Sequence, residues 1–228
     1  YDPQTDGWQP LAKMSTTRYA LGLAAVGGKV YAIGGCDNGG TTLESVEAYD
    51  PQLGAWALVA SMGAKRFFSA SVGLDGKIYT IGGAGDGGPL DTVEVYDPQT
   101  DSWQRVASMP QGMYGHAAAA MDGKIYVTGG YDQGDSLKSV FVYDPQANAW
   151  TQLASMDIAR RFHASAVAGG KLYVFGGVGG EVGNGEVYDP ASDSWAHGTV
   201  EVYDPASDSW AQGLSLTSPR SYVVAIAL

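Results

Sequence analysis

Short apolar runs separated by polar, glycine-rich stretches recur along this chain at a period of about 47 residues. Four of the runs share one build: Gly28-Lys29-Val30-Tyr31, Gly76-Lys77-Ile78-Tyr79, Gly123-Lys124-Ile125-Tyr126 and Gly170-Lys171-Leu172-Tyr173. Each closes on a double glycine: Gly34-Gly35, Gly82-Gly83, Gly129-Gly130 or Gly176-Gly177. Runs of β-branched and aromatic residues, of strand length and bounded by glycine, predict strands. Asp-Gly-Lys at 75–77 and 122–124 predicts tight hairpins, because glycine accepts positive φ. No stretch sustains a 3.6-residue apolar period, so almost no helix is expected.

A second pattern runs through the polar segments. Tyr-Asp-Pro occurs six times, beginning at Tyr1, Tyr49, Tyr96, Tyr143, Tyr188 and Tyr203. Seven residues after each Tyr stands a Trp (Trp8, Trp56, Trp103, Trp150, Trp195, Trp210), and these six are all the Trp in the chain. Pro ends a strand and holds the residue before it extended. Six residues after successive Trp come Met14, Met62, Met109 and Met156, with Leu216 after the last. Four residues further stand Arg18, Arg66, Met113, Arg160 and Arg220, leading into a small apolar run. Each period then holds four short antiparallel strands. One such sheet has two apolar faces and buries neither alone. Sheets stacked radially bury one another, which is a β-propeller.

The double glycine, the Tyr near it and the Trp after Tyr-Asp-Pro resemble the Kelch repeat, over nearly the whole chain. The resemblance implies that the double glycine closes the second strand of a blade, and that Tyr and Trp pack between blades. The expected fold is therefore all-β: one Kelch-type propeller domain over 1–228, with blades near 15–62, 63–109, 110–156 and 157–216. A partial fifth blade would combine 217–228 with 1–14, the latter supplying a fourth strand over residues 8–13. A fragment of a six-bladed propeller is the alternative. One irregularity intrudes. The stretch from Val187 to Ala196 recurs residue for residue from Val202 to Ala211. Loop length favours Tyr188 for the third strand of that blade, while the spacing to Leu216 favours Trp210 for the fourth. About 15 residues between them, near Trp195 to Val200, are expected to be extruded or poorly ordered.

Composition narrows the chemistry. The 228 residues are enough for one well-packed domain. The net charge of −11 opposes nucleic-acid binding, and much of it comes from the repeated Asp of Tyr-Asp-Pro. Cys36 is the single cysteine, so no internal disulfide forms. No 18-residue apolar run exists, and no membrane partner is expected. A cytoplasmic location is favoured. His116 and His163 share a repeat position, but no further ligand at metal spacing accompanies them, so no metal and no cofactor are expected.

The arginines carry more information. There are six, and Arg18, Arg66, Arg160 and Arg220 share one repeat position, with Arg161 beside it. The resemblance places this segment on the face where Kelch adaptors bind peptides. Arg there can grip carboxylates, and Tyr19, Phe67, Phe68, Tyr114, Phe162 and Tyr222 stand beside it. An equal claim is that a repeated Arg bonds blade carbonyls as scaffold. The candidate ligand-binding set is Arg18, Arg66, Phe68, Tyr114, His116, Arg160, Arg161, His163, Arg220 and Tyr222. The expected function is non-catalytic recognition of a protein or peptide partner, with an acidic one favoured. The family implies substrate receptors of ubiquitin ligases or cytoskeletal scaffolds. The alternative is a Kelch-fold carbohydrate-active enzyme such as a sialic-acid mutarotase or a sugar oxidase. A deep pocket holding Arg, His and a carboxylate would favour the enzyme.

Overall fold

The computed structural model describes residues 6–179, 185–198, 201–204 and 209–212. They form four four-stranded antiparallel sheets, consistent with Kelch blades. The first holds β1 (Gly22–Val26), β2 (Lys29–Ile33), β3 (Val46–Asp50) and β4 (Ala55–Val59) in that order. The second holds β5 (Ala70–Leu74), β6 (Lys77–Ile81), β9 (Val93–Asp97) and β10 (Ser102–Val106). Between β6 and β9 a small ribbon forms from β7 (Ala84–Gly85) and β8 (Gly88–Pro89). The third holds β11 (Ala117–Met121), β12 (Lys124–Thr128), β13 (Val140–Asp144) and β14 (Ala149–Gln152). The fourth holds β15 (Ala164–Ala168), β16 (Lys171–Phe175), β17 (Gly185–Asp189) and β18 (Ser194–Gly198). A separate hairpin pairs β19 (Glu201–Asp204) with β20 (Ser209–Gln212).

The core lies between sheets, as two-faced apolar strands require. Tyr31, Ile33, Val46 and Met62 of the first repeat pack on Ile78 and Tyr96 of the second. Tyr79, Ile81 and Val93 meet Ile125, Phe141 and Tyr143 of the third in the same way. The inner strands β1, β5, β11 and β15 lie side by side and together line one cavity of about 340 Å³.

The repeated polar residues are connectors. The Trp of the first three sheets each donate the indole N–H to a carbonyl of the segment before the sheet: Trp56 to Ala12, Trp103 to Ala60 and Trp150 to Ala107, at 2.8–3.0 Å. Each ring also leans on its own Tyr, with centroids 5.0–5.3 Å apart. The three Trp are half-buried, because the outer strand of each sheet faces solvent. The Asp of Tyr-Asp-Pro pairs with the Lys of the second strand, as in Lys29–Asp50 at 3.1 Å and Lys77–Asp97 at 3.0 Å. The double glycine is a close crossing. A Cβ on Gly82 would stand 2.7 Å from the Met113 carbonyl oxygen, and one on Gly129 2.5 Å from that of Arg160.

Two expectations are corrected here. Residues 8–13 form no strand, and Trp8 is 82% exposed. The C-terminal partner proposed for them lies outside the described residues. The duplicated segment also behaves differently. Tyr188 does lie in the third strand, but the fourth is β18, which carries Trp195, not the strand carrying Trp210. The stretch near Trp195 is thus paired rather than extruded through residue 198, and the second copy forms its own hairpin outside the sheet. The hairpin nearer in sequence is the one that completes the sheet.

Candidate functional site

The segment entering each inner strand and the loop after each double glycine meet on one face. Single antiparallel bridges join them: Tyr19 to Cys36, Phe67 to Ala84, Tyr114 to Tyr131 and Arg161 to Val178. Around this face runs a belt of backbone bonds between sheets. Phe68 N–H donates to Ala20 C=O at 2.8 Å, Gly115 to Phe68 at 2.9 Å and Phe162 to Gly115 at 2.6 Å. All four belt residues have positive φ: Ala20 54°, Phe68 52°, Gly115 64° and Phe162 55°. A side chain in that region costs about 1–2 kcal/mol, so Ala20, Phe68 and Phe162 are held there by the belt, while Gly115 takes it freely.

The belt sets aromatic rings against one another in stacked and tilted pairs. Phe68 lies 4.8 Å from Phe162, 5.2 Å from Phe67 and 6.2 Å from Tyr114, by ring centroids. Tyr114 continues to Tyr131 at 5.3 Å. Gly115 makes the close approach feasible, since a Cβ there would stand 2.7 Å from the Phe162 ring. These rings are half-buried, so each keeps an open side. At the end of the row the Arg161 guanidinium sits 4.5 Å above the Tyr131 ring and donates to Ser136 Oγ at 3.2 Å. Tyr131, Asp135, Ser136, Ala159, Arg161 and Val178 line a cavity of about 540 Å³.

The other arginines belong to the scaffold, which corrects the expectation for Arg18, Arg66 and Arg160. Arg18 donates to Gly34 and Ser45 carbonyls at 3.0 and 2.9 Å and to Glu47 at 2.7 Å. Arg66 repeats this with Gly82, Thr92 and Glu94 at 2.7, 3.1 and 2.6 Å. Arg160 reaches Gly176 C=O at 2.9 Å and is fully buried. The side chains of Arg18 and Arg66 have no exposed surface. Each guanidinium bonds the carbonyl of the first glycine of its pair and is sealed from solvent. Burial pushes the Arg66 guanidinium below its ordinary pKa, against the opposing pull of Glu94. Burial raises the Glu47 carboxyl, but bonds from Ser15 N–H and Arg18 outweigh it and hold the group below the ordinary range.

The histidines are corrected likewise. His116 and His163 are 6% and 5% exposed. His116 Nε2 lies 3.1 Å from Ile81 O, and His163 Nε2 lies 2.9 Å from Thr128 Oγ1. Burial pushes them down to about 4 and about 3, so both are neutral pins between sheets. Among the described residues no group of three His, Cys, Asp or Glu is placed to hold a metal ion. Arg220 and Tyr222 lie outside the described residues. Of the sequence-derived set, the structure brings Phe68, Tyr114 and Arg161 together on the open face. It sets Phe162, one of the aromatic neighbours read from the sequence, in the same row, and it adds Tyr131 and Ser136. Phe162 shares the repeat position of Phe68. Tyr131 and Ser136 sit in a loop that differs in every repeat, and only their folded position singles them out.

The chain belongs to the Kelch repeats: residues 21–224 match the KLHDC2/KLHL20/DRC7 Kelch-repeats domain family. It is similar to human Kelch-like protein 5, with 51% identity over 37 residues, which is 16% of this chain and 5% of that protein. The chain thus spans a small part of that relative's length. The solved structure of YjhT matches with a TM-score of 0.72 at 20% identity, covering 92% of this chain and 69% of that one, a likeness that shows the fold.

Proposed function

We propose that this Kelch-repeat domain recognises a protein or peptide partner on its aromatic face, with an acidic residue of the partner seated at Arg161. The observation that carries this reading is the row of half-buried rings ending in an arginine that is not buried in the scaffold. Large rings with one open side, next to a guanidinium, have the composition of a binding hot spot. Stacking on Tyr131 leaves the edge of the Arg161 guanidinium to meet a carboxylate side-on. The enzyme alternative relied on Arg, His and carboxylate groups sharing a pocket. The buried Arg and Glu bond one another and backbone within their own repeats, and the His bond the neighbouring sheet, which favours binding over catalysis. A receptor role in a ubiquitin ligase, or a cytoskeletal scaffold, is the setting that fits a Kelch domain acting in this way.

The test is a panel of acidic and neutral peptides against the parent chain and Arg161→Ala. With a net charge of −11 the chain's overall field repels anions, so affinity comes from local contacts and weakens with salt. Loss of a charge-assisted bond worth about 1.5–3 kcal/mol weakens acidic-peptide binding about 10- to 100-fold. The melting temperature should barely move, because Arg161 lies outside the buried network. Equal binding by parent and variant, or no binder in the panel, overturns the reading.

A further inference from the structure

The stretch from Glu186 to Ala196 is identical to that from Glu201 to Ala211. In the structure the first copy supplies β17 and β18 and completes the fourth sheet, whereas the second forms the separate hairpin β19–β20. The two hairpins have the same register. Tyr188 faces Trp195 and Glu186 faces His197 in the first; Tyr203 faces Trp210 and Glu201 faces Gln212 in the second. We infer that the edge of β16 accepts either hairpin, so that the fourth sheet exchanges between two closed forms within one molecule.

Three observations support the exchange. First, docking on β16 uses Leu172, Tyr173 and Val174 against Tyr188, Val187 and Glu186. Tyr203, Val202 and Glu201 present the same residues in the same order. Second, a glutamate is needed at one register position. In the first two sheets the third-strand glutamate, opposite Ala32 or Thr80, pairs with the buried arginine. Glu186 stands at that position opposite Val174, and Glu201 would replace it there. Third, the connections balance. The loop from β16 to β17 covers residues 176–184, against 34–45, 82–92 and 129–139 in the other three sheets. The second hairpin would lengthen that loop to 176–200, but it restores the usual Trp-to-Met spacing downstream, with Leu216 six residues after Trp210. Either form therefore carries the same 15 surplus residues, on one side of the hairpin or the other. Closure entropy grows with the logarithm of loop length, so moving the surplus shifts the balance by less than about twofold. Exchange also rebuilds one wall of the Arg161 cavity, because Val178 and Gly179 sit in the loop that lengthens. That holds whether or not the cavity binds a peptide.

Disulfide trapping tests this in a Cys36→Ser background. The pair Tyr173→Cys with Val187→Cys closes only in the observed form, and Tyr173→Cys with Val202→Cys only in the exchanged one. Deleting residues 186–200 leaves a single copy of the hairpin and a chain that can form only one sheet. A variant with that deletion, carrying Cys at 173 and at the one remaining valine position, sets the full-closure yield and shows that the geometry permits the bond. In the full chain both pairs are expected to close within the monomer, with yields within about tenfold of each other. A 202 pair that stays reduced while the 187 pair closes overturns the inference. Closure of the 202 pair only between two molecules does so too, because the exchange would then be intermolecular.

Discussion

The buried Arg66–Glu94 pair should be replaceable as a unit and intolerant of partial change. The third repeat shows the replacement already made. Where the second repeat has Gly63, Arg66 and Glu94, the third has Pro110, Met113 and Phe141. In the second, Glu94 accepts from Arg66 at 2.6 Å and from Gly63 N–H at 2.6 Å, and both charged side chains are essentially sealed from solvent. In the third, Met113 and Phe141 pack in the core, and Pro110 has no N–H left to satisfy. Each member of the trio makes sense only with the other two. Arg66→Met leaves the Glu94 carboxylate buried with one donor, and strips a donor from Gly82 and Thr92 carbonyls. Glu94→Phe leaves a buried guanidinium and an orphaned Gly63 N–H. Each single change should cost about 3–5 kcal/mol. The triple variant Gly63→Pro, Arg66→Met, Glu94→Phe should fall within about 1.5 kcal/mol of the parent, because a buried ion pair is often matched by well-packed apolar groups. The coupling between sites is then at least about 3 kcal/mol. Urea denaturation, with equal denaturant dependence across the set, reads all of these values. Single variants each costing under about 1 kcal/mol would refute the reasoning. So would a triple variant as unstable as the sum of its parts, since the third repeat would then owe its packing to something else.

Trp103→Ala should cost about 2–3 kcal/mol, below the range for a fully buried ring, because the indole is half-buried and loses one bond to Ala60 and its stack on Tyr96. Thermal melting checks this, and an unchanged midpoint would remove Trp103 from the scaffold. Asp101 Oδ1 accepts from Ala60 N–H and Tyr96 O–H at 2.9 and 2.8 Å, and Asn148 Oδ1 plays the same part in the next repeat with Ala107 and Tyr143. Asp101→Asn should therefore stay within about 0.5 kcal/mol at neutral pH. The bond from Ala60 N–H, followed by that from Tyr96, holds the Asp101 carboxyl below its ordinary range. Its contribution is present above the unfolded carboxylate value and fades as pH falls through the lowered one, so the variant should lose part of the parent's acid sensitivity in a melting series from pH 5 to 2. His116 and His163 are held neutral in the fold at about 4 and about 3, so below the unfolded value near 6.5 the unfolded chain takes up protons that the folded chain refuses. Stability should fall as pH drops from about 6.5 toward 4, and His163→Gln should flatten that limb; an identical slope in the variant would contradict the assignment.

The strands, their order within each repeat and the stacking of sheets were legible in the residues. Period, glycine pairs and apolar runs act locally or between equal neighbours, and every repeat states them again. That repetition also made Arg18, Arg66 and Arg160 ambiguous. A residue kept in register serves a scaffold or a binding ring equally well as text. Burial decided between them, and burial depends on which backbone closes over the guanidinium: here the glycine crossing of one sheet and the incoming segment of the next. Arg161 escaped by one position, which turns it outward onto Tyr131. The aromatic row could be guessed from Phe68 and Tyr114, but not its continuity, which needs Gly115 to let Phe162 approach across 47 residues of sequence. The duplicated hairpin marks the limit of the chain as its own instruction. Two identical segments carry identical local preferences, and their spacings conflict: loop length pointed to Tyr188 for the third strand, and the distance to Leu216 pointed to Trp210 for the fourth. The pairing of β16, β17 and β18, made in three dimensions, resolved the conflict in favour of the first copy.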